Sequence, residues 1–266
     1  MDRYRIVPLL IAGTALAGPA QARPRGLAET PASLVSVSVE LDGRPASLYP
    51  AVDGSGRFYV EARRGGRYSV VLASRTAERV GVVLTVDGLN AISGQRDEGR
   101  GRMYVLDPWQ TTTVRGWRTS LAEVRQFTFV DEQVSYAARS GKANEKMGWI
   151  EVAVYRERQP VVRHAPEVER SRPEPARDSA EATAPTLRGE SAPRAYPGTG
   201  WGERRHDPVV LVSFDPESQP GERVTLRYEY RPALVALGIL PRQAPARDRL
   251  SERDRAEPGF APPPAW

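Results

Sequence analysis

The segment that decides the fold runs from Arg67 to Tyr155 and contains RYSVVLASRT (67–76), RVGVVLTVDGLN (79–90), RMYVLDP (102–108), FTFV (127–130) and WIEVAVY (149–155). These runs are short, apolar and rich in β-branched residues, and they lack the 3.6-residue period of an amphipathic helix. Gly, Asp-Gly and Asp-Pro separate them, which is typical of strands joined by tight turns. The segment therefore predicts an all-β domain.

The chain before this segment adds further strands. Leu34–Leu41 (LVSVSVEL) alternates apolar and polar residues, which is typical of a half-buried strand. Asp42-Gly43 predicts a turn, and Ala46–Tyr49 predicts the return strand of a hairpin. Arg57–Ala62 predicts another strand. The strands together predict a β-sandwich of about seven to nine strands.

Two segments within residues 67–155 predict short helices. Ser120, with Glu123 three residues later, has the pattern of a capping box, which predicts one helical turn over Ser120–Arg125. Tyr136–Gly141 (YAARSG) predicts a second short helix, which Gly141 ends.

The N-terminus predicts export. Ile6–Gly18 is an apolar run that is short for a bilayer span, and Arg3 and Arg5 precede it. Ala20-Gln21-Ala22 is a small-residue cleavage site, so we expect residues 1–22 to be a signal peptide and the mature chain to begin at Arg23. The predicted location is the periplasm or the extracellular space. The chain has no Cys, so its core must hold it together without disulfides.

The second half of the chain changes composition twice. Residues 156–196 are rich in Pro, Glu, Arg, Ala and Ser, which predicts a disordered linker after a β-sandwich domain at 23–155. Residues 197–240 predict a strand pair, Val209–Phe214 and Arg223–Tyr230, which docks on the sandwich because two strands alone are not stable. Gly198–Gly202 (GTGWG) predicts a flexible junction, and residues 241–266 predict a disordered tail.

Several short motifs in this chain form a recognisable set. They are DGLN (87–90), YVLDP (104–108), GWR (116–118), SYAARSG (135–141) and GTGWGE (198–203). The set resembles a family of uncharacterised secreted bacterial proteins with an Ig-like β-sandwich core. The resemblance implies an Ig-like antiparallel β-sandwich, interrupted here by the predicted linker. Trp109 departs from the pattern, which has Gly after Pro108.

The sequence offers little for catalysis or metal binding. It has no Cys, no nucleophile motif and no phosphate loop, and its two His residues, His164 and His206, lie far apart. The carboxylates available for a glycosidase-like pair are Asp87, Glu123, Asp131, Glu132 and Glu151. We attribute Asp87 to its turn, and with Asn90 it gives thin support for Ca²⁺. We therefore predict no enzyme, no metal and no cofactor.

The aromatic residues are the predicted binding surface. Trp109, Trp117, Trp149, Trp201 and Tyr104, together with Tyr136, are candidates for a flat face that stacks on a sugar or a peptide. The alternative is that they pack in the core, since Trp is usually highly buried. Alternation places Trp149 on the less buried face of its strand, and Trp117 is expected to stack on Arg115 or Arg118.

These observations predict a non-enzymatic module that binds an envelope protein or a glycan. The arginines are scattered among acidic residues, which disfavours nucleic acid as a partner. No further segment is apolar enough to span a membrane in the mature chain. Two alternatives stay open: a carbohydrate-binding module or glycan-acting enzyme that uses exposed Trp and Tyr, and a subunit of a surface assembly that pairs through an edge strand.

Overall fold

The computed structural model describes residues 26–158 and 195–242. The predictions for residues 1–22, for 159–194 of the linker and for 243–266 of the tail lie outside the described residues. The strands are β1 (Val35–Leu41), β2 (Arg44–Pro45), β3 (Leu48–Pro50), β4 (Phe58–Ala62), β5 (Arg67–Ser74), β6 (Val80–Val86), β7 (Leu89–Asn90), β8 (Tyr104–Leu106), β9 (Thr111–Val114), β10 (Gly116–Arg118), β11 (Glu123–Asp131), β12 (Trp149–Arg156), β13 (Pro197–His206) and β14 (Glu222–Tyr230). The helices are α1 (Tyr136–Arg139) and α2 (Arg231–Ala236), and Glu132–Val134 forms a 3-10 turn.

The strands form two sheets, which confirms the all-β prediction. The first sheet has the order β10-β11-β5-β1-β2, with β9 also on β5 and β13 also on β11. The second has the order β3-β4-β14-β12-β6-β7, with β8 also on β6. All pairs are antiparallel except β4 with β14, which is parallel. Many strands have only two or three residues, so the described ranges contain more strands than the seven to nine predicted.

The main core lies between the two sheets. Alternation directs Val35, Val37 and Val39 of β1 inward, and the side chains of Val70 and Leu72 on β5 join them. The second sheet contributes its apolar residues from β6, β12 and β14. All seven residues of β6 are buried, because Phe214 and Met103 cover the outer face of this strand and its neighbour β12. The long apolar run of β6 therefore reflects burial on both faces.

Two predictions before residue 126 are wrong. Ala46–Tyr49 was predicted to be the return strand of the first hairpin, but the strand that pairs with β1 there is β2. Leu48–Pro50 instead belongs to the second sheet, where it pairs with β4. Ser120–Arg125 forms no helical turn. The amides of Thr119 and Ser120 both donate to the Glu123 carbonyl, at 3.0 and 3.3 Å, which closes a tight turn before β11. The helix predicted over Tyr136–Gly141 is confirmed as α1.

Residues after the gap contribute one strand to each sheet. β13 pairs with β11 over its whole length, and β14 lies between β12 and β4. The predicted junction Gly198–Gly202 is therefore wrong, because these residues form half of β13. A Cβ on Gly200 would lie 2.9 Å from Cγ1 of Val130, so the glycine permits close approach to the neighbouring strand. The strand predicted at Val209–Phe214 is also wrong, since no regular element forms there.

The strand region extends beyond the predicted boundaries of the linker. β12 ends at Arg156, and Glu157 forms an isolated bridge with Pro216. On the far side of the gap, the Tyr196 carbonyl accepts a hydrogen bond from the Glu132 amide at 2.8 Å.

Candidate functional site

A buried polar network joins the two sheets around Asp87. This residue occupies the β6–β7 turn with a φ of 51°. Its side-chain oxygens accept hydrogen bonds from the Gly148 amide at 2.8 Å, from the Thr199 amide at 2.7 Å and from the Tyr228 hydroxyl. The Thr199 hydroxyl lies 2.8 Å from the Tyr228 oxygen and 2.6 Å from the Tyr68 oxygen. The sequence attributed Asp87 to its turn alone, and the structure shows that its side chain also links the two sheets.

Burial governs the electrostatics of this network. Desolvation raises the pKa of Asp87 to about 6, although the hydrogen bonds from Tyr228, Thr199 and Gly148 act in the opposite direction. Burial also raises the pKa of Tyr68 and of Tyr228 well above the ordinary phenol value. Asp87 and Thr199 are fully shielded from solvent, so neither bulk water nor a dissolved ligand reaches the carboxyl group. We assign the network a structural role, as the polar link among β6, β13 and β14.

Trp117 and Tyr104 do not belong to a binding surface. Trp117 is only 1% exposed, packs edge-on against Phe127 at a ring-centroid distance of 5.2 Å, and donates its indole N–H to the Gly200 carbonyl at 3.1 Å. It therefore does not stack on Arg115 or Arg118 as expected. The Tyr104 hydroxyl is buried, and burial raises its pKa. The prediction that Trp117 and Tyr104 contribute to a binding surface is therefore wrong, and we assign both residues a structural role.

Trp109 and Trp149 lie apart from the other aromatic residues. Trp109 is 65% exposed in the β8–β9 turn and has a φ of 60°, a left-handed conformation that explains why Gly suits this position. Trp149 is half-buried on the outer face of β12, as predicted. Its ring is flanked by Lys146, Arg57 and Arg227 at 5.0 to 5.8 Å from the ring centroid. The predicted continuous aromatic face does not form.

Trp201 and Tyr136 form the candidate binding site. Their rings lie 4.7 Å apart, between β13 and α1, and Trp201 is 45% exposed. Tyr136 in turn contacts the buried Trp117, with ring centroids 4.9 Å apart. An aromatic column thus runs from the core to the surface. It ends in an open groove of about 290 Å³ lined by Val134, Tyr136, Arg139, Ser140 and Trp201.

The lining of this groove is apolar with a basic margin. Val134 is the last residue of the 3-10 turn, and its exposed side chain lies beside the Trp201 ring. Arg139 lies in the last turn of α1, and the Arg125 guanidinium lies 6.0 Å from the Trp201 ring centroid. The Ser140 hydroxyl donates to the Ala137 carbonyl at 3.3 Å. Arginine therefore supplies the charged contacts that the groove offers to a ligand.

Sequence reasoning found the two aromatic residues of the groove and missed the rest. Ser135 caps α1, because its hydroxyl accepts from the Ala138 amide at 3.1 Å, and this cap fixes the direction of the helix toward β13. The motif SYAARSG carried that capping signal. Val134 stood outside the motif, and only the pairing of β11 with β13 brings it beside Trp201.

Comparison with models of known protein families, with curated proteins and with solved structures finds no match for this chain. Among residues 26–158 and 195–242, no three His, Cys, Asp or Glu side chains lie together as a metal site would require. In the same ranges, no helix has the length and apolar character needed to cross a bilayer.

Proposed function

We propose that this chain is an exported, non-enzymatic binding module of the cell envelope, with an Ig-like arrangement of its two sheets. The observation that carries the binding role is the exposed Trp201 beside Val134 in a concave groove. Single exposed apolar side chains are common, but adjacent ones that line a concave surface often mark an interaction site. Trp201 packs on Tyr136, which in turn packs on the buried Trp117, and these contacts hold the Trp201 ring in place, which lowers the entropy lost on binding.

The groove favours a peptide segment of a partner protein over a sugar. A sugar stacked on an aromatic ring also needs several hydrogen-bonding groups around its hydroxyls. Among the five lining residues, Arg139 is the one charged side chain, and a neutral sugar cannot form an ion pair with it. An apolar side chain next to an Asp or Glu would bury against Val134 and Trp201 and would pair with the guanidinium. A glycan ligand thus becomes the alternative outcome of the test.

The proposed compartment rests on the sequence. Ile6–Gly18 and the Ala20-Gln21-Ala22 site support export. The chain has no Cys, so in that compartment the fold depends on its apolar core, which includes strand β6 buried on both faces.

Selection of a random peptide library on residues 23–266 tests this function. We expect enriched peptides to carry an aromatic or aliphatic anchor beside an acidic residue. Binding should fall at least about tenfold in V134E, which places a carboxylate in the groove that repels the acidic residue of the peptide and competes for Arg139. W109A is the matched control, because Trp109 is exposed but lies outside the groove. Peptides that bind V134E as well as the wild type, or glycans that bind where no peptide does, would contradict the proposal.

A further inference from the structure

Residues 207–217 form a strap that connects the two sheets. At its start, the Asp207 and Val209 amides donate to the carbonyls of Ala122 and Leu121, at 2.8 and 2.7 Å. The side chain of Arg118 reinforces this start, because its guanidinium donates to the Asp207 carbonyl at 2.8 Å. Two sheet contacts hold the end of the strap on the second sheet: the Arg158 amide donates to the Asp215 carbonyl, and the Glu217 amide donates to the Arg156 carbonyl.

The middle of the strap is apolar and unpaired. Val210 and Leu211 are each 82% exposed, Val212 is 54% exposed, and Leu121 is exposed beside them. Among the described residues, no carbonyl accepts a hydrogen bond from the amides of Val210, Leu211 or Val212. The segment Pro208–Val212 is thus free of charge and rich in β-branched residues. Such a segment, held at both ends, is prepared to pair with another strand.

Strand β13, which precedes the strap, is an edge strand whose charged side chains discourage pairing with another strand, and the middle of the strap has no such charges. β13 pairs with β11 on one side and, within residues 26–158 and 195–242, with no strand on the other. Glu203, Arg204 and Arg205 are exposed along it, and charged side chains on an edge strand discourage pairing. Those charges end before Pro208, so any pairing of strands at this edge is directed to the strap.

The exposed charges on either side of the segment Pro208–Val212 are of opposite sign, because the nearer Asp207 is largely buried and pairs with Arg118. Arg204 and Arg205 precede it and are exposed, whereas Asp215 and Glu217 follow the apolar residues and are exposed as well. Antiparallel pairing of the strap with itself, about a two-fold axis between Val210 and Leu211, would place the basic end of one copy beside the acidic end of the other. Opposite charges across paired strands stabilise the pair, and like charges destabilise it.

We propose that the strap is a self-association site, at which a second copy of this chain pairs antiparallel over residues 208–213. In this register Val210 of one copy faces Leu211 of the other, and Val209 faces Val212. Each copy offers one apolar patch made by the exposed side chains of Leu121, Val210, Leu211 and Val212. Specific interfaces bury about 1,000 Å² or more, and two patches of a few side chains each lie at or below that size, so the dimer depends on protein concentration. A two-fold interface uses the same patch on both copies.

Analytical ultracentrifugation of residues 23–266 over about a hundredfold range of concentration tests the proposal. We expect a reversible monomer–dimer equilibrium for the wild type and a monomer for V210K at all concentrations. Val210 is exposed, so the substitution leaves the fold intact, and far-UV circular dichroism checks this. V52K is the matched control, because Val52 is 75% exposed at a distant turn, and its dimerisation should equal that of the wild type. A wild-type monomer throughout, or a V210K dimer, would overturn the proposal.

Single cysteines test the register, since the chain has no Cys of its own. Mixed V210C and L211C chains should form a disulfide-linked heterodimer under mild oxidation, because these positions face each other across the axis. Each variant alone should cross-link much more slowly, because position 210 of one copy lies on the opposite face from position 210 of the other. Rapid cross-linking of V210C to itself would overturn this register. Peptide binding to the Trp201 groove should be unchanged in V210K, so the two proposals can fail separately.

Discussion

The carboxyl of Asp87 should make the protein less stable as the pH rises from about 4 to 7. Burial raises the pKa of this carboxyl in the folded protein to about 6, against 3.8 for an ordinary Asp. Within this range the folded protein holds a proton that the unfolded chain has lost. Folding therefore binds protons, and the free energy of unfolding decreases as the pH increases. The contribution is fully present below pH 3.8 and is lost as the pH passes 6.

The size of the effect follows from the shift. A pKa difference of about two units corresponds to roughly 3 kcal/mol of unfolding free energy. Total stability for a domain is about 5–15 kcal/mol, so the loss should be easy to measure. Burial also raises the pKa of Glu229, although Arg227 opposes the shift, so this group contributes in the same direction.

The assay is urea unfolding, followed by Trp fluorescence, at several values of pH between about 4.5 and 7.5. D87N is the decisive variant, because Asn tolerates the left-handed turn and carries no titratable group. We expect D87N to lose most of the pH dependence, with the remainder due to Glu229. D87N should be less stable than the wild type at pH 4.5, because its Nδ2 group cannot accept from the Gly148 or Thr199 amide as a carboxyl oxygen does. The comparison therefore uses the slope of stability against pH and not the stability at a single pH.

A wild-type protein whose stability increases from pH 4.5 to 7.5 would refute the reasoning. An equal slope in the wild type and D87N would refute the assignment to Asp87. The variant E229Q separates the second group, because it should remove only the remaining slope.

Three substitutions test other parts of the structure. W109G should raise the free energy of unfolding by about 0.5–1 kcal/mol, because it relieves a left-handed backbone at an exposed bulky residue; thermal unfolding measures this, and a lower melting temperature would contradict it. W117F should lower stability by about 1–3 kcal/mol in urea unfolding, since it leaves the Gly200 carbonyl without its donor; an unchanged midpoint would count against the indole hydrogen bond. E222A should accelerate hydrogen exchange at the Leu34 amide, which donates to Glu222 at 2.7 Å, and exchange as slow as in the wild type would show that this carboxylate does not hold β1.

Local sequence patterns predicted the strands and turns that are specified by their own residues and do not depend on a distant partner. The alternation of Leu34–Leu41 gave β1, and the Asp87-Gly88 dipeptide gave the turn after β6. These signals depend on period and on backbone conformation, which neighbouring residues determine. The partners of Asp87 escaped prediction, because Thr199 and Tyr228 are more than 110 positions away in sequence.

The errors share one cause, which is that a partner decides whether a run becomes a strand. Val209–Phe214 has strand-like composition, yet it forms a strap because no neighbouring strand accepts its middle amides among the described residues. Gly198–Gly202 has the composition of a flexible junction, yet pairing with β11 makes these residues part of strand β13. Trp117 was expected to stack on Arg115 or Arg118, yet it is buried in the core between the two sheets. Pairing between distant segments therefore overrode local propensity.

The late position of β13 and β14 in the chain also limits when the protein can fold. β14 inserts between β4 and β12, and Glu222 accepts hydrogen bonds from the start of β1, 189 positions before it at Ser33. A ribosome must therefore release nearly the whole polypeptide before either sheet can be completed. Contacts between such distant segments make folding slow. A nascent chain that stays unfolded for long is well suited to passage through a narrow translocation pore. The strand order that delays folding would therefore favour the proposed export, because the chain could cross the membrane before folding is complete.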